Sequence, residues 1–256
     1  MDPTPQAAVR TPADLGKLLL GIVVAAIVIG RLPGPLGGWV QAVGTAAHES
    51  GHALVADLLT GDVVSITVFR DGGGVAFSEA SPSSWRSFLV SAAGYPATLL
   101  VGLAVLTAVL LGRSSRPVAA IGSAAALTAL VFWTPFSSRV PAVEGGDQHF
   151  TFFVFLFLVL VLAGAAALPD SFDTARRVLL GALAVGLLAD AFRAGRDLVV
   201  IEGTAGQTAT DADGLNAAVG LFSPTVWAWV FRLALFAIAA GWALLMVRRL
   251  RPPASS

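Results

Sequence analysis

Five consecutive residues, His48-Glu49-Ser50-Gly51-His52, carry the densest chemistry in this chain. On a helix, imidazoles at i and i+4 share one face and can reach a single metal ion. Glu49 then lies beside them, placed to hold a water and act as general base and proton shuttle. The chain has only three histidines, and random placement of its histidines and glutamates would produce this pattern about four times in ten thousand. A tetrahedral catalytic Zn²⁺ takes three protein ligands and keeps a fourth position for water. With no cysteine present, the third ligand must be His, Asp or Glu, and thiol catalysis and thiolate metal sites are excluded. The candidates near apolar segments are Glu144, Asp147 and His149, then Asp190 and Asp197, then Asp211 and Asp213 in a polar loop. Asp57, one turn past His52, reads as a helix end.

The elements that must position these groups are those of a membrane protein. Of 256 residues, 56% are hydrophobic and 12% charged, about half the charge of an ordinary soluble domain. Sixteen basic residues balance sixteen acidic ones, so nothing in the charge points to nucleic acid. Apolar helices are predicted at about 15–29, 39–59, 85–111, 117–133, 150–168, 178–194 and 224–247, each near the ~20 residues of a bilayer crossing. The expected architecture is all-α and polytopic, with about seven transmembrane helices and one small β-hairpin after the histidine helix. Residues 1–14 read as a disordered lead, 15–249 as one transmembrane domain, and 250–256 as a tail. The hairpin, about 63–78, is signalled by alternation through Val64, Ile66 and Val68, the turn Asp71-Gly72-Gly73-Gly74, and then Val75-Ala76-Phe77.

Burying two histidines and a glutamate mid-membrane costs on the order of 3 kcal/mol each, a cost that a bound divalent cation can offset. Arg232, inside the last span, is expected to snorkel or to pair with Asp190 or Asp197. The tryptophans fit an interfacial belt.

The motif in an apolar helix, followed by a glycine-turn hairpin, resembles the site-2 protease-like intramembrane zinc metallopeptidases. That family has an Ala-Gly-Pro stretch at the opening of the next span, and Ala93-Gly94-Tyr95-Pro96 is similar with one insertion. Two spans after the histidines the family carries Asn-x-x-Pro and then Asp-Gly, whose aspartate is the third zinc ligand. Here the chain reads Phe132-Trp133-Thr134-Pro135 and Pro141-Ala142-Val143-Glu144-Gly145-Gly146-Asp147, without the asparagine. The resemblance implies Zn²⁺ on His48, His52 and Asp147, with Glu49 as the catalytic base. Arg196-Asp197, Thr210-Asp211-Ala212 and Trp227 resemble a looser subgroup, which makes Asp197 the rival ligand. The implied activity is zinc-dependent hydrolysis of a peptide bond in or near a transmembrane segment of a membrane-protein substrate, by a multi-pass protein of the cell membrane. Two other readings fit the same residues: a non-proteolytic metal-binding scaffold or chaperone, and a carrier whose His/Glu cluster relays protons. The hairpin has a matching task. A helical substrate shields its own peptide bonds, and an exposed strand edge can hold it extended.

Overall fold

A computed structural model describes residues 12–31, 35–60, 63–70, 72–78, 85–112, 114–134, 148–203 and 210–250. Eight α-helices, one 3-10 turn (Asp170–Phe172) and one hairpin make up these segments: α1 (Pro12–Gly30), α2 (Pro35–Thr60), β1 (Val63–Val68), β2 (Gly74–Ser78), α3 (Trp85–Leu110), α4 (Ser115–Phe132), α5 (Gln148–Ala167), α6 (Asp173–Gly203), α7 (Asp211–Val219) and α8 (Pro224–Leu250). Among the described residues six helices are long and apolar enough to cross a membrane, all but α2 and α7. The expected count of about seven included α2. Residues 12–14, assigned to the lead, already belong to α1. The outer faces are hydrocarbon, with Leu20, Ile121, Leu160, Leu233 and Leu244 all more than 60% exposed, as lipid-facing helices require.

Packing fixes the direction of each crossing. Gly21 of α1 meets Val178 and Ile22 meets Gly181, while Leu18 and Ile22 share a buried cluster with Leu180, Val109, Ala119 and Ala165. The start of α1 therefore lies level with the start of α6 and the ends of α3 and α5. In α3, Gly102 packs on Ala184 and Leu188, and Leu99 lies in a cluster with Ala191 and Leu198, so α3 runs against α6. Trp242 of α8 donates to Thr107 Oγ1 at 2.7 Å, and Phe231 stacks on Tyr95, which sets α8 parallel to α3. Glycines allow these close approaches because a Cβ at 21, 102 or 181 would press into the neighbouring helix.

It follows that α1 ends, and α3 begins, on the same side of the bundle. Together α2 and the hairpin return to the side they leave. Ala42, Val43, Ala46 and Ala53 of α2 are buried with Ile66 and Val68 of β1, the end of α4 (Ala129, Leu130) and the start of α5 (Phe150, Val154). All of these sit in one half of the bundle. At the opposite end the chain turns are tied by arginine: Arg177 pairs with Asp173 and reaches Gly112 O at 3.1 Å, and Arg176 caps α5 through Leu168 O and Pro169 O.

The hairpin forms where the sequence predicts it. Its strands pair antiparallel, Ile66 with Ala76 and Val68 with Gly74, with an irregularity between Val63 and Ser65. Gly72 has φ +96°, which glycine adopts freely, and Thr45 Oγ1 donates to its carbonyl at 2.7 Å. The outer edge of β1 is occupied: Ile66 N–H donates to Trp133 O at 2.7 Å, and Val68 N–H to Thr151 Oγ1 at 2.8 Å. One face of the hairpin, through Ile66, Val68 and Ala76, packs on α2.

Candidate metal centre

The helix α2 delivers both imidazoles to one face, as their spacing predicts. His52 Nδ1 lies 2.6 Å from the carbonyl of Val90 in α3. A carbonyl only accepts, so Nδ1 carries the proton, and a neutral His52 ring presents a lone pair at Nε2. That atom faces His48 Nε2 at 3.1 Å and Asp211 Oδ2 at 3.2 Å, while His48 Nε2 lies 3.1 Å from the same carboxylate oxygen. Two ring nitrogens and a carboxylate oxygen thus converge on one point. A proton can serve one of these pairs, whereas a divalent cation serves all three. Zn–N and Zn–O bonds near 2.05 Å in a tetrahedron hold neighbouring donors roughly 3.3 Å apart, so the triangle has the size of one tetrahedral face. Among the described residues, these three are the group of His, Asp and Glu side chains that could hold a metal ion.

The close approach of α3 depends on Gly94. A Cβ there would stand 2.5 Å from His48 Nε2 and closer still to His52 Nε2. Gly51 plays the reciprocal part on α2, since its Cβ would meet Ala97 Cβ at 2.5 Å. The ring of Tyr95 packs edge-on against His48, with centroids 4.6 Å apart. The Ala93-Gly94-Tyr95-Pro96 stretch therefore lies inside α3 and not at its opening, at the level of the imidazoles.

The acid arrives from the far end of the chain. Thr210 caps α7, accepting from Asp213 N–H, while the Asp213 carboxylate accepts from Thr210 N–H, a reciprocal capping box. With Asp213 so engaged, Asp211 is free to turn toward the histidines. Against α3, Gly214 of α7 sits where a Cβ would clash with Ser91 Oγ, and Ala212 and Leu215 are buried with Tyr95 and Leu99.

Glu49 is 6% exposed and points to the hairpin. Ile66 N–H leaves the sheet toward Trp133, so its cross-strand partner Ala76 also directs its N–H outward, where it hydrogen-bonds to Glu49. Gly74 brings β2 close, because its Cβ would lie 2.9 Å from Glu49 Oε1. Ser50 and Thr45 bond to backbone carbonyls at Ala46 and Gly72.

The other described acids fall elsewhere. Asp147, the expected third ligand, and Glu144 lie outside the described residues. His149 is exposed at the start of α5. Asp197 pairs with its neighbour Arg196 at 2.7 Å and is 46% exposed. Arg232, expected to meet Asp190 or Asp197, lies over the ring of Trp229 at 5.2 Å. Asp211, one of the candidates in the polar loop, is the one brought to the imidazoles. Its signal was Thr210-x-x-Asp213, a helix start hidden in a polar stretch.

Six crossing helices around a two-histidine, one-carboxylate cluster define a polytopic membrane protein built on a metal-centre geometry. The comparisons with known proteins agree with that class. The Peptidase M50B-like family matches residues 19–244, a stretch holding α2, the hairpin and α7 alike, and the chain belongs to that family. A Synechocystis sp. protein named "Putative zinc metalloprotease sll0528" is 38% identical over 104 residues, covering 36% of this chain. The match spans about a quarter of that protein's length, 27%. No solved structure matches the chain.

Proposed function

We propose that this protein is a zinc-dependent intramembrane endopeptidase of the cell membrane, hydrolysing a peptide bond in or next to a transmembrane segment of a membrane-protein substrate. The observation that carries the reading is the convergence of His48 Nε2, His52 Nε2 and Asp211 Oδ2 within 3.2 Å of one another, beside a buried glutamate. These three side chains would hold Zn²⁺, with Asp211 in the place first expected for Asp147. Bound there, Zn²⁺ supplies a Lewis acid for the scissile carbonyl and acidifies an attacking water.

The chain's own groups account for the rest. Glu49 takes the proton from the attacking water and delivers it to the leaving amide nitrogen. Its hydrogen bond from Ala76 holds the carboxylate at that task while leaving its second oxygen available. Val90 O fixes the His52 tautomer, and the Tyr95 ring holds His48 in place. The outer edge of β2, at Gly74 and the carbonyl of Ala76, offers backbone groups on which a substrate can be laid out as a strand. This places an extended peptide directly alongside Glu49.

The test is a Glu49→Gln variant of the purified full-length chain, assayed for zinc content and for cleavage of reconstituted single-span substrates. It keeps zinc and loses cleavage about 10²–10⁴-fold, the range of general acid–base contributions. Unchanged cleavage in that variant refutes the proposal, and a wild-type protein free of bound transition metal refutes it more directly.

A further inference from the structure

A cavity of about 660 Å³ opens between α1, α2, α5 and α6, within the size range of ligand pockets, ~300–1,000 Å³. Gln41 and Gly44 form its α2 wall, two turns and one turn before His48 on the same helix face. Most of the lining is hydrocarbon or aromatic, including Ile29, Trp39, Phe157 and Leu183. Asp190 interrupts it. This carboxylate is 16% exposed and pressed against the backbone of Gly44, where a Cβ would overlap it. The nearest cation, Arg193 Nη1, stands 3.8 Å away on a side chain that is 49% exposed. That is beyond hydrogen-bond distance.

A mostly buried carboxylate whose one ion pair is long, with no hydrogen-bond donor among the described residues, is costly, and what fills the cavity must answer both its walls and its acid. Acyl chains suit the walls and leave Asp190 unsatisfied. Water suits Asp190 but not the walls. An apolar peptide segment carrying one donor side chain satisfies both. We propose that the cavity receives the substrate's membrane segment next to the scissile bond, and that Asp190 is a specificity-determining residue selecting a hydrogen-bond-donating side chain on that segment, such as Ser, Thr, Asn or Lys. The inference rests on the peptidase reading for its substrate, and its test does not need cleavage.

Full-length Glu49→Gln protein carrying benzoylphenylalanine in place of Leu183 is reconstituted in phosphatidylcholine vesicles. Synthetic spans of about 20 Leu and Ala residues, with or without one central Asn, are photo-crosslinked to it. The Asn-bearing span is captured at least about tenfold better, the discrimination of one hydrogen bond to a charged group. Asp190→Leu brings the ratio to near one without lowering capture of the apolar span, and Asp190→Asn, which keeps the shape, lowers it part-way. Gly186→Phe abolishes capture of both spans, because a Cβ at Gly186 meets open space and the ring fills the cavity. Equal capture of the two spans, a ratio unchanged in Asp190→Leu, or crosslinks to phosphatidylcholine alone overturns the proposal. Capture without hydrolysis by the unsubstituted enzyme would refute the peptidase reading and leave the cavity's selectivity standing.

Discussion

Replacing Asp211 with alanine isolates the geometry on which the metal centre depends. In the fold, Oδ2 closes a triangle whose sides are 3.1, 3.1 and 3.2 Å. Removing it leaves two imidazoles four residues apart and no anion to balance a divalent cation. Four-ligand zinc sites in small domains bind with roughly 10–16 kcal/mol, about 2.5–4 kcal/mol per ligand. By this scale Asp211→Ala weakens zinc binding about 10²–10³-fold. Asp211 adds little to the fold: it is half-buried on one short helix, and the Thr210–Asp213 cap survives its loss. The assay is zinc stoichiometry by elemental analysis of detergent-purified protein, followed by competition with a chelator of known affinity, for Asp211→Ala, Asp147→Ala and Asp197→Ala in parallel. Asp211→Ala alone should release metal. If it retains zinc at wild-type affinity while Asp147→Ala loses it, the argument from converging lone pairs is wrong.

Further outcomes follow from the same contacts. Gly94→Ala drives a methyl group into both imidazoles, so it should lower zinc content and cost about 1–3 kcal/mol of stability, read by thermal unfolding with and without zinc; Gly186→Ala, into open space, changes neither. Thr210→Ala removes the α7 cap, destabilises by about 1 kcal/mol and weakens zinc binding about tenfold through the misplaced Asp211; a wild-type chelator titration would contradict this. Gly74→Val pushes β2 off Glu49 and Thr45, so cleavage falls while bound zinc stays at one equivalent; zinc loss in parallel would mean that the hairpin supports the metal and not the base. Because His48 and His52 bind metal only as neutral rings, zinc affinity falls as pH drops, and a chelator titration independent of pH would exclude imidazole ligation.

Much of this was legible in the residues. The i, i+4 histidines needed only helical periodicity, and α2 supplies it. The hairpin followed from strict alternation around glycines. Gly94 stood out within Ala93-Gly94-Tyr95-Pro96, although its task, admitting two rings against a backbone, is visible only in the packing. The third acid was not legible by spacing. Asp211 lies 159 positions after His52 along the chain, in a polar stretch whose turn residues look solvated. What brings it back is tertiary: Ala212 and Leu215 must bury against Tyr95 and Leu99, and a nine-residue helix is too short to announce an apolar face. The about seven spans expected come close to the six found, and α2 is set apart from those six by composition, since Gln41, His48, Glu49, His52 and Asp57 interrupt its apolar run. Its place in the bundle is set by partners such as Asp190 at Gly44 and Phe150 at Trp39.

That placement of α2 has a chemical consequence. A hydrolase must bring water to a bond that its substrate keeps in lipid, and a helix crossing the full bilayer would set its midpoint, where the histidines are, at the driest depth. Because α1 ends and α3 begins on one side, α2 and the hairpin stay in that half of the bundle, and His48, Glu49 and Asp211 with them. The side chains of α7, which starts in a polar segment, then reach the metal centre without being dragged through hydrocarbon. The short hairpin works to the same end. Its β1 edge is bonded to Trp133 and Thr151, so those backbone groups are not left unpaired, and β2 lies beside Glu49.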